Sequence, residues 1–126
     1  MDTAHHGLTP EFARGFAERW YAAWNSGDID AIMACYDPAI EHSSPFIKKY
    51  NGTDEVSLKG IDAVREYFAR ALARNPTLRF EPMHVTVGLE SVVLIYRRMS
   101  GDLAAEFFRL TPAPEGKIVR SISHYG

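Results

Sequence analysis

One carboxylate stands out in the sequence because its neighbours on the same predicted strand face are all apolar. Glu106 belongs to residues 104–110, which read as a β-strand. Strand alternation places it on one face with three apolar side chains, Ala104, Phe108 and Leu110. A carboxylate there is costly unless it is paired or protonated, and burial raises its pKa, as in many catalytic acids. Two interpretations stay open: a catalytic carboxyl, or an ion pair with an arginine of a neighbouring strand, Arg97, Arg98 or Arg120.

Histidine is the side chain whose ordinary pKa suits proton transfer near neutral pH. His42 lies in a short predicted strand, residues 39–43, and shares one face of it with Ile40. It is either a proton-transfer group or a histidine at the edge of the core that is bonded to a backbone carbonyl. We take His42 and Glu106 as the candidate catalytic residues.

Further polar candidates lie on later strands. Ser121, Ser123 and Tyr125 share one face of the last predicted strand, which indicates either the wall of a wet pocket or a surface face. His124 points the other way. His84, in the middle of an earlier strand, is a weaker candidate for the same pocket.

Aromatic residues recur every four positions along the first predicted helix, at Phe12, Phe16, Trp20 and Trp24. Such a stripe is typical of a buried helix face, and part of it can also line a ligand site. We expect a set of aromatic side chains to converge on one interior space: Trp20, Trp24, Tyr67, Phe68, Phe108 and Tyr125.

Familiar cofactor and nucleophile motifs are absent from the sequence. There is no GxGxxG or GxxxxGK[ST] loop, no HExxH, no CxxC and no GxSxG. Cys35 is the single cysteine and lies within a predicted helix, where an inert buried thiol is expected. A metal site could form only if the fold brought His42, His84 and His124 together, so we expect neither a metal nor a cofactor.

The elements that must position these residues begin with helices. Residues 1–8 read as an N-terminal arm. Thr9 and Pro10 predict a helix start, and Gly27 predicts its end. A second helix is predicted over 29–36 and a third over 61–73, with a polar loop at 44–55 between them.

The pattern becomes extended after Pro76. Four long strands are predicted over residues 78–87, 91–99, 103–111 and 117–125, joined by short loops. Short loops between long strands indicate an antiparallel meander. Pro82 cannot donate to a central ladder, so it predicts a bulge or an edge strand. The sequence therefore predicts an α+β domain over residues 9–126, with a curved sheet wrapped around three helices.

Composition excludes several classes of protein. With 126 residues and a net charge of −2, the chain has the size of one domain and no basic footprint for nucleic acid. No apolar run is long enough to span a bilayer, and the first 30 residues do not read as a signal peptide. A lone cysteine makes the cytoplasm the expected compartment.

Residues 92–96 are apolar throughout, so both faces of that strand need to be covered, and a homodimer would cover the face that the helices leave open.

Four segments together resemble the nuclear transport factor 2-like, or SnoaL-like, superfamily. Residues 18–28 (ERWYAAWNSGD) resemble its first helix, and residues 29–38 resemble its short second helix before the turn into AIEHSSP. Residues 59–72 (KGIDAVREYFARAL) resemble its third helix, and residues 116–126 (GKIVRSISHYG) its last strand. Their order and spacing extend the resemblance over about residues 10–126.

The resemblance implies a cone-shaped, cystatin-like fold with a small-molecule pocket at its open end and homodimers formed through the sheet. The superfamily includes ketosteroid isomerases, polyketide cyclases, dehydratases, epoxide hydrolases and binding proteins, and its enzymes mostly need no cofactor. Against the isomerases, Trp20 replaces a tyrosine donor, His42 falls at the aspartate base, and Glu106 falls at the protonated aspartate donor. Against the cyclases, Ser123 falls near the acidic acid/base residue.

Three hypotheses of function follow. The first is a cofactor-independent acid/base enzyme that isomerises, dehydrates or cyclises a small apolar carbonyl or hydroxy compound, such as a polyketide- or steroid-like molecule. In it, His42 takes a proton and protonated Glu106 donates a hydrogen bond to the oxyanion. The second is a non-catalytic protein that binds such a ligand in the same pocket. The third is a protein–protein interaction domain.

Overall fold

The computed structural model describes residues 7–126, so most of the predicted arm, residues 1–6, lies outside the described part of the chain. The described chain has four helices: α1 (Pro10–Ser26), α2 (Ile29–Met33), α3 (Pro45–Asn51) and α4 (Ile61–Arg74). It has six strands: β1 (Tyr36–Ser43), β2 (Ser57–Lys59), β3 (Glu81–Val87), β4 (Ser91–Arg97), β5 (Leu103–Leu110) and β6 (Ile118–Tyr125). No helix in residues 7–126 is long and apolar enough to cross a membrane.

All six strands form one curved, open sheet in the order β2-β1-β6-β5-β4-β3. Strands β3 to β6 form the predicted antiparallel meander. The predicted α+β class is confirmed. Strand β1 lies parallel to β6, a pairing that the meander pattern did not predict. This pairing brings the candidate His42 beside the last strand, where the polar face was predicted.

Helix α1 follows its sequence signals closely. The Thr9 hydroxyl accepts a hydrogen bond from the backbone N–H of Phe12 at 3.0 Å, and Gly27 ends the helix at φ 72°, in the left-handed region. Its aromatic stripe is buried against the inner face of the sheet, with Trp20 2% exposed. The helix therefore presents both tryptophans of the chain to the interior.

The segment between β1 and α4 differs from its prediction as a polar loop. Residues 45–51 form α3, which begins at Pro45 after the Ser44 hydroxyl accepts a hydrogen bond from the Phe46 N–H at 3.2 Å. Gly52 closes it at φ 68°. Serine, proline and glycine in these places are the usual start and stop signals of a helix, but only seven residues lie between them. Residues 7–126 consequently form four helices rather than the three predicted.

Two other element boundaries differ from those predicted from the sequence. The predicted second helix ends at Met33, and Tyr36 instead opens β1. Strand β3 begins at Glu81 because the side chain of Asn25 holds the backbone of Phe80: its Oδ1 accepts from the Phe80 N–H at 2.7 Å and its Nδ2 donates to the Phe80 carbonyl at 3.1 Å. Pro82 lies on an edge strand next to a register shift, so both readings of this proline are confirmed.

Candidate functional site

A cavity of about 290 Å³ lies between the inner face of the sheet and helices α1, α3 and α4. Its inner wall is largely aromatic, and three polar residues, His42, Glu106 and Ser123, line it from the sheet. Exposed and half-buried residues surround its open end, which we call the mouth and define as Tyr50, Arg74, Asn75, Arg79, Arg98, Met99 and Ser100. The volume is near the lower end of the range for small-molecule sites.

Glu106 is buried in the wall of this cavity and is held by two hydroxyl groups. Tyr96 donates to its Oε2 and Ser123 donates to its Oε1, both at 2.7 Å. Burial raises the pKa of Glu106 to about 7, against the smaller opposing effect of the two hydrogen bonds. Within residues 7–126 no arginine lies within 4 Å of this carboxylate, so the arrangement is not the ion pair considered from the sequence.

His42 reaches the same cavity from β1. Its Nδ1 lies 2.5 Å from the hydroxyl of Ser121, and its ring packs edge-on against Phe68 at 5.1 Å. Burial, with the nearby charge of Arg120, lowers the pKa of His42 to about 4, so the imidazole is neutral at pH 7. The Nε2 atom makes no hydrogen bond within the described chain and is not among its fully buried polar atoms, so it is open to the cavity.

The hydroxyl of Ser121 determines which tautomer of His42 fits. Ser121 is completely buried, and Nδ1 of His42 is its hydrogen-bonding partner within residues 7–126. If Nδ1 carried the proton, the Ser121 proton would be left without an acceptor in the interior, which is costly. The arrangement that satisfies both groups has Ser121 donating to Nδ1 and the imidazole proton on Nε2. His42 then presents an N–H to the cavity.

The register of the sheet places His42 and Glu106 apart in the cavity wall, on the two strands that flank β6. His42 pairs with Ser121 and Glu106 pairs with Ser123, so the two lie on strands separated by β6. Two strand spacings separate their backbones by about 10 Å across the sheet. No nitrogen of His42 lies within 4 Å of a carboxylate oxygen of Glu106, and both residues line the same cavity, so a small molecule there could contact both.

Most of the residues expected from the sequence lie in the cavity wall. Besides His42 and Glu106, the structure places six of the nine expected lining residues there: Trp20, Trp24, Tyr67, Phe68, Ser123 and Tyr125. The other three lie elsewhere. Phe108 is 1% exposed and packs behind the wall against Phe16 and Trp20, at ring distances of 5.6 and 5.3 Å. Ser121 is also behind the wall, where its hydroxyl contacts His42.

His84 does not lie near the cavity, which corrects the expectation from the sequence. Strict alternation would place it on the same face as Phe80, which does line the cavity. The register shift between Pro82 and His84 breaks that alternation and pairs His84 with Ile95, on the outer face of the sheet. His84 is consequently exposed to solvent.

Several wall residues were not predicted from the sequence. Tyr36 accepts a hydrogen bond from Nε1 of Trp20 at 3.2 Å. Tyr96 was not predicted either, although a signal was present: pairing β4 with β5 across a short turn places it diagonally opposite Glu106. Helix α3 and the mouth contribute a further group, for which the sequence pattern carried no clear signal: Ser44, Phe46, Tyr50, Arg74, Arg79 and Arg98.

Comparison with known proteins agrees with this architecture. The family model described as "SnoaL-like domain" matches residues 17–125. The chain belongs to the SnoaL-like family. The resemblance drawn from the four sequence segments is thereby confirmed. A search of curated proteins gives no match to the chain.

Solved structures of SnoaL-like proteins extend the comparison. A SnoaL-like protein of unknown function from Burkholderia thailandensis is 36% identical, with a TM-score of 0.85 over 94% of this chain and 98% of that one. A candidate isomerase of the SnoaL-like family from Agrobacterium tumefaciens is 14% identical, with a TM-score of 0.71 over 92% and 98%. A candidate polyketide cyclase from Sinorhizobium meliloti is 15% identical, with a TM-score of 0.69 over 87% and 94%. The last two similarities show the shared fold alone.

Ligation of a metal would need several suitable side chains in one place. Within residues 7–126, no group of three or more His, Cys, Asp and Glu side chains is arranged to hold a metal ion. The polar side chains that line the cavity are able to form hydrogen bonds and to transfer protons.

Proposed function

We propose that this SnoaL-like protein binds a small, largely apolar carbonyl or hydroxy compound in the cavity and catalyses a proton transfer on it without a cofactor. The observation that carries the proposal is a carboxyl group with a pKa of about 7 on the same cavity as a neutral imidazole with an unpaired nitrogen. A proton-transfer group is most effective when its pKa is near the working pH. Isomerisation, dehydration and cyclisation all need such a group.

The geometry favours exchanging the two roles expected from the sequence. His42, with a pKa of about 4, is a weak base, and its preferred tautomer directs an N–H into the cavity. Glu106 is partly ionised near pH 7, so its carboxylate can accept a proton and return it. We therefore assign the proton transfer to Glu106 and the stabilisation of a developing oxyanion to the Nε2–H of His42.

The step can be written for a ketone. The Glu106 carboxylate removes a proton from the carbon next to the carbonyl, the electron pair moves into a carbon–carbon double bond, and the carbonyl oxygen becomes an enolate. The Nε2–H of His42 donates a hydrogen bond to that oxygen, and Glu106 then returns the proton to a carbon of the substrate. Positioned acid–base groups of this kind contribute roughly 10²–10⁴-fold in rate.

Hydrogen exchange in deuterated buffer tests the proposal with 2-tetralone, a bicyclic ketone, as the probe. We expect the protein to accelerate exchange of the protons next to the carbonyl, as followed by NMR, and Glu106→Gln to remove most of the acceleration. Glu66→Gln, on the exposed face of α4, is the matched control and should leave the rate unchanged. Binding of the ketone without accelerated exchange would contradict catalysis and favour the binding-protein alternative.

We also propose that the protein forms a homodimer through the outer face of its sheet. Neighbouring strands place a row of apolar side chains on this face, and all are only half-buried within one chain: Val93, Ile95, Ala105, Phe107 and Ile122. The helices cover only the inner face. A second copy of the sheet would cover this row in a two-fold arrangement.

A further inference from the structure

The mouth of the cavity is strongly basic, although the whole chain carries a net charge of −2. Three of the ten arginines of the chain, Arg74, Arg79 and Arg98, line this one cavity. Among the described residues that line the cavity, the one acidic residue is Glu106, which lies buried in the wall away from the three arginines at the mouth. A cleft lined by charges of one sign focuses its electric field and attracts ligands of opposite charge.

Two of these arginines are held in place by aromatic rings of the same cavity. The guanidinium of Arg74 lies 3.8 Å from the ring centre of Tyr50, and that of Arg98 lies 4.8 Å from the ring centre of Tyr125 and 5.3 Å from that of Phe46. Such a cation–π contact attracts the guanidinium to the ring without taking up a carbonyl or carboxylate acceptor, so its N–H donors remain available for a ligand. The rings therefore position the arginines without using their hydrogen-bonding capacity.

Those donors have no partner within the described chain. Across residues 7–126, none of the three guanidinium groups donates a hydrogen bond or lies within 4 Å of a carboxylate, whereas Arg65 and Arg109 each pair with an acidic residue. The positive charges of Arg74 and Arg98 lie close enough to Tyr67 and Tyr125 to favour their ionised forms, although burial is the larger influence and leaves the pKa of both tyrosines raised.

The mouth combines this charge with exposed apolar surface. Tyr50 is 38% exposed and Met99 is 61% exposed, and both line the cavity beside the arginines. Farther in, the wall is formed by Trp20, Trp24 and Phe80. A ligand that matches both regions has an apolar ring system at one end and an acidic group at the other.

We propose that the ligand of this cavity is an organic anion, whose apolar rings lie against the two tryptophans and whose anionic head group is bound by Arg74, Arg79 and Arg98 at the mouth. The inference rests on the proposed function and narrows its substrate class from apolar carbonyl compounds to those that also carry an acidic group. Arginine forks bind carboxylates and phosphates with two parallel hydrogen bonds, so either head group satisfies the arrangement.

Three bicyclic probes test the charge separately from the rings: naphthalene-2-carboxylate, its neutral carboxamide, and 2-naphthyl phosphate. Binding is followed by NMR through the indole N–H signals of Trp20 and Trp24, the two tryptophans of the chain, both in the cavity wall. We expect at least one anion to bind tenfold or more tightly than the carboxamide. The order of the two anions distinguishes a carboxylate ligand from a phosphate ligand.

Variants locate the effect. Arg98→Gln and Arg74→Gln should each weaken anion binding about tenfold and leave carboxamide binding unchanged. Arg14→Gln on the exposed face of α1, which removes the same charge away from the cavity, should change neither. Equal binding of all three probes, or anion binding that survives both arginine variants, would overturn the anionic ligand and leave the proposed function standing. If none of the probes shifts either indole signal, the proposed pocket function and this inference both fail.

Discussion

Replacing Glu106 with glutamine should make the protein less sensitive to alkaline conditions. Glutamine has nearly the same shape, can still accept a hydrogen bond from Tyr96 or Ser123, and does not titrate. In the native chain the carboxyl is 5% exposed and its pKa is raised from 4.5 to about 7. The difference between the two proteins therefore isolates the free energy of ionising this one buried group.

The sign and size of the effect follow from proton linkage. Between pH 4.5 and 7 the unfolded chain has released this proton while the folded chain retains it, so the unfolded state binds fewer protons. The free energy of unfolding contributed by Glu106 is then fully present below pH 4.5 and is lost as the pH rises through 7. At about 1.36 kcal/mol per unit of pH, the loss approaches about 3 kcal/mol.

Urea unfolding at intervals from pH 4.5 to pH 8.5 measures the effect in both proteins. The free energy of unfolding of Glu106→Gln, relative to that of the native chain, should increase by about 3 kcal/mol across this range. Because all other groups are common to both proteins, their titrations cancel in the difference. Glu66→Gln shows what the same change does at an exposed site. A difference that stays constant from pH 4.5 to 8.5 would refute the raised pKa and, with it, the assignment of proton transfer to Glu106.

Three further outcomes are expected. The ¹⁵N signals of His42 should show a neutral ring protonated at Nε2 at pH 7, with the exposed His124 as a reference signal; a proton on Nδ1 would contradict the tautomer argument. The free energy of unfolding that the neutral His42 ring contributes should be lost as the pH falls from 6.5 through about 4. Phe107→Glu should convert a dimer to a monomer in sedimentation at micromolar concentration, whereas Leu89→Glu, in an exposed turn, should not; a monomeric native chain would rule the dimer out. Ser44→Ala should lower the free energy of unfolding by about 1 kcal/mol, because α3 loses its N-terminal cap.

Local signals predicted the parts of the fold that local interactions determine. Thr9 and Gly27 mark the ends of α1 in the sequence because they make the capping interactions themselves: Thr9 through its side chain and Gly27 through its backbone. Alternation likewise identified the inner face of β5, where Glu106 lies between buried neighbours. The pairing of Glu106 with Ser123 follows from the meander, since short turns fix the register of its strands.

The features that sequence reasoning missed depend on contacts between distant segments. The register shift between Pro82 and His84 turns His84 to the outer face of the sheet. The residues of β3 alone do not show whether those after the shift keep the alternation of those before it. The parallel contact of β1 with β6, which brings His42 to Ser121, joins residues 79 positions apart. Arg98, which directly follows β4, lies over the ring of Tyr125 on β6, again a contact between segments that are distant in the chain.

The choice of partners for Glu106 is what keeps its proton exchangeable near neutral pH. An arginine within contact distance would favour the charged form and hold the pKa of the carboxyl well below its usual range, so that it remained ionised. The hydroxyls of Tyr96 and Ser123 stabilise the carboxylate less than a full charge would, so burial remains the larger influence and the pKa rises to about 7. Both hydroxyls can also accept a hydrogen bond, so they accommodate the protonated acid as well as the carboxylate. Arg98, by contrast, remains at the mouth, where its guanidinium lies 4.8 Å from the ring centre of Tyr125 and more than 4 Å from the Glu106 carboxylate. The fold thus separates a region of positive charge, suited to binding an anionic group, from a carboxyl group that is held by two uncharged hydroxyls and is suited to proton transfer.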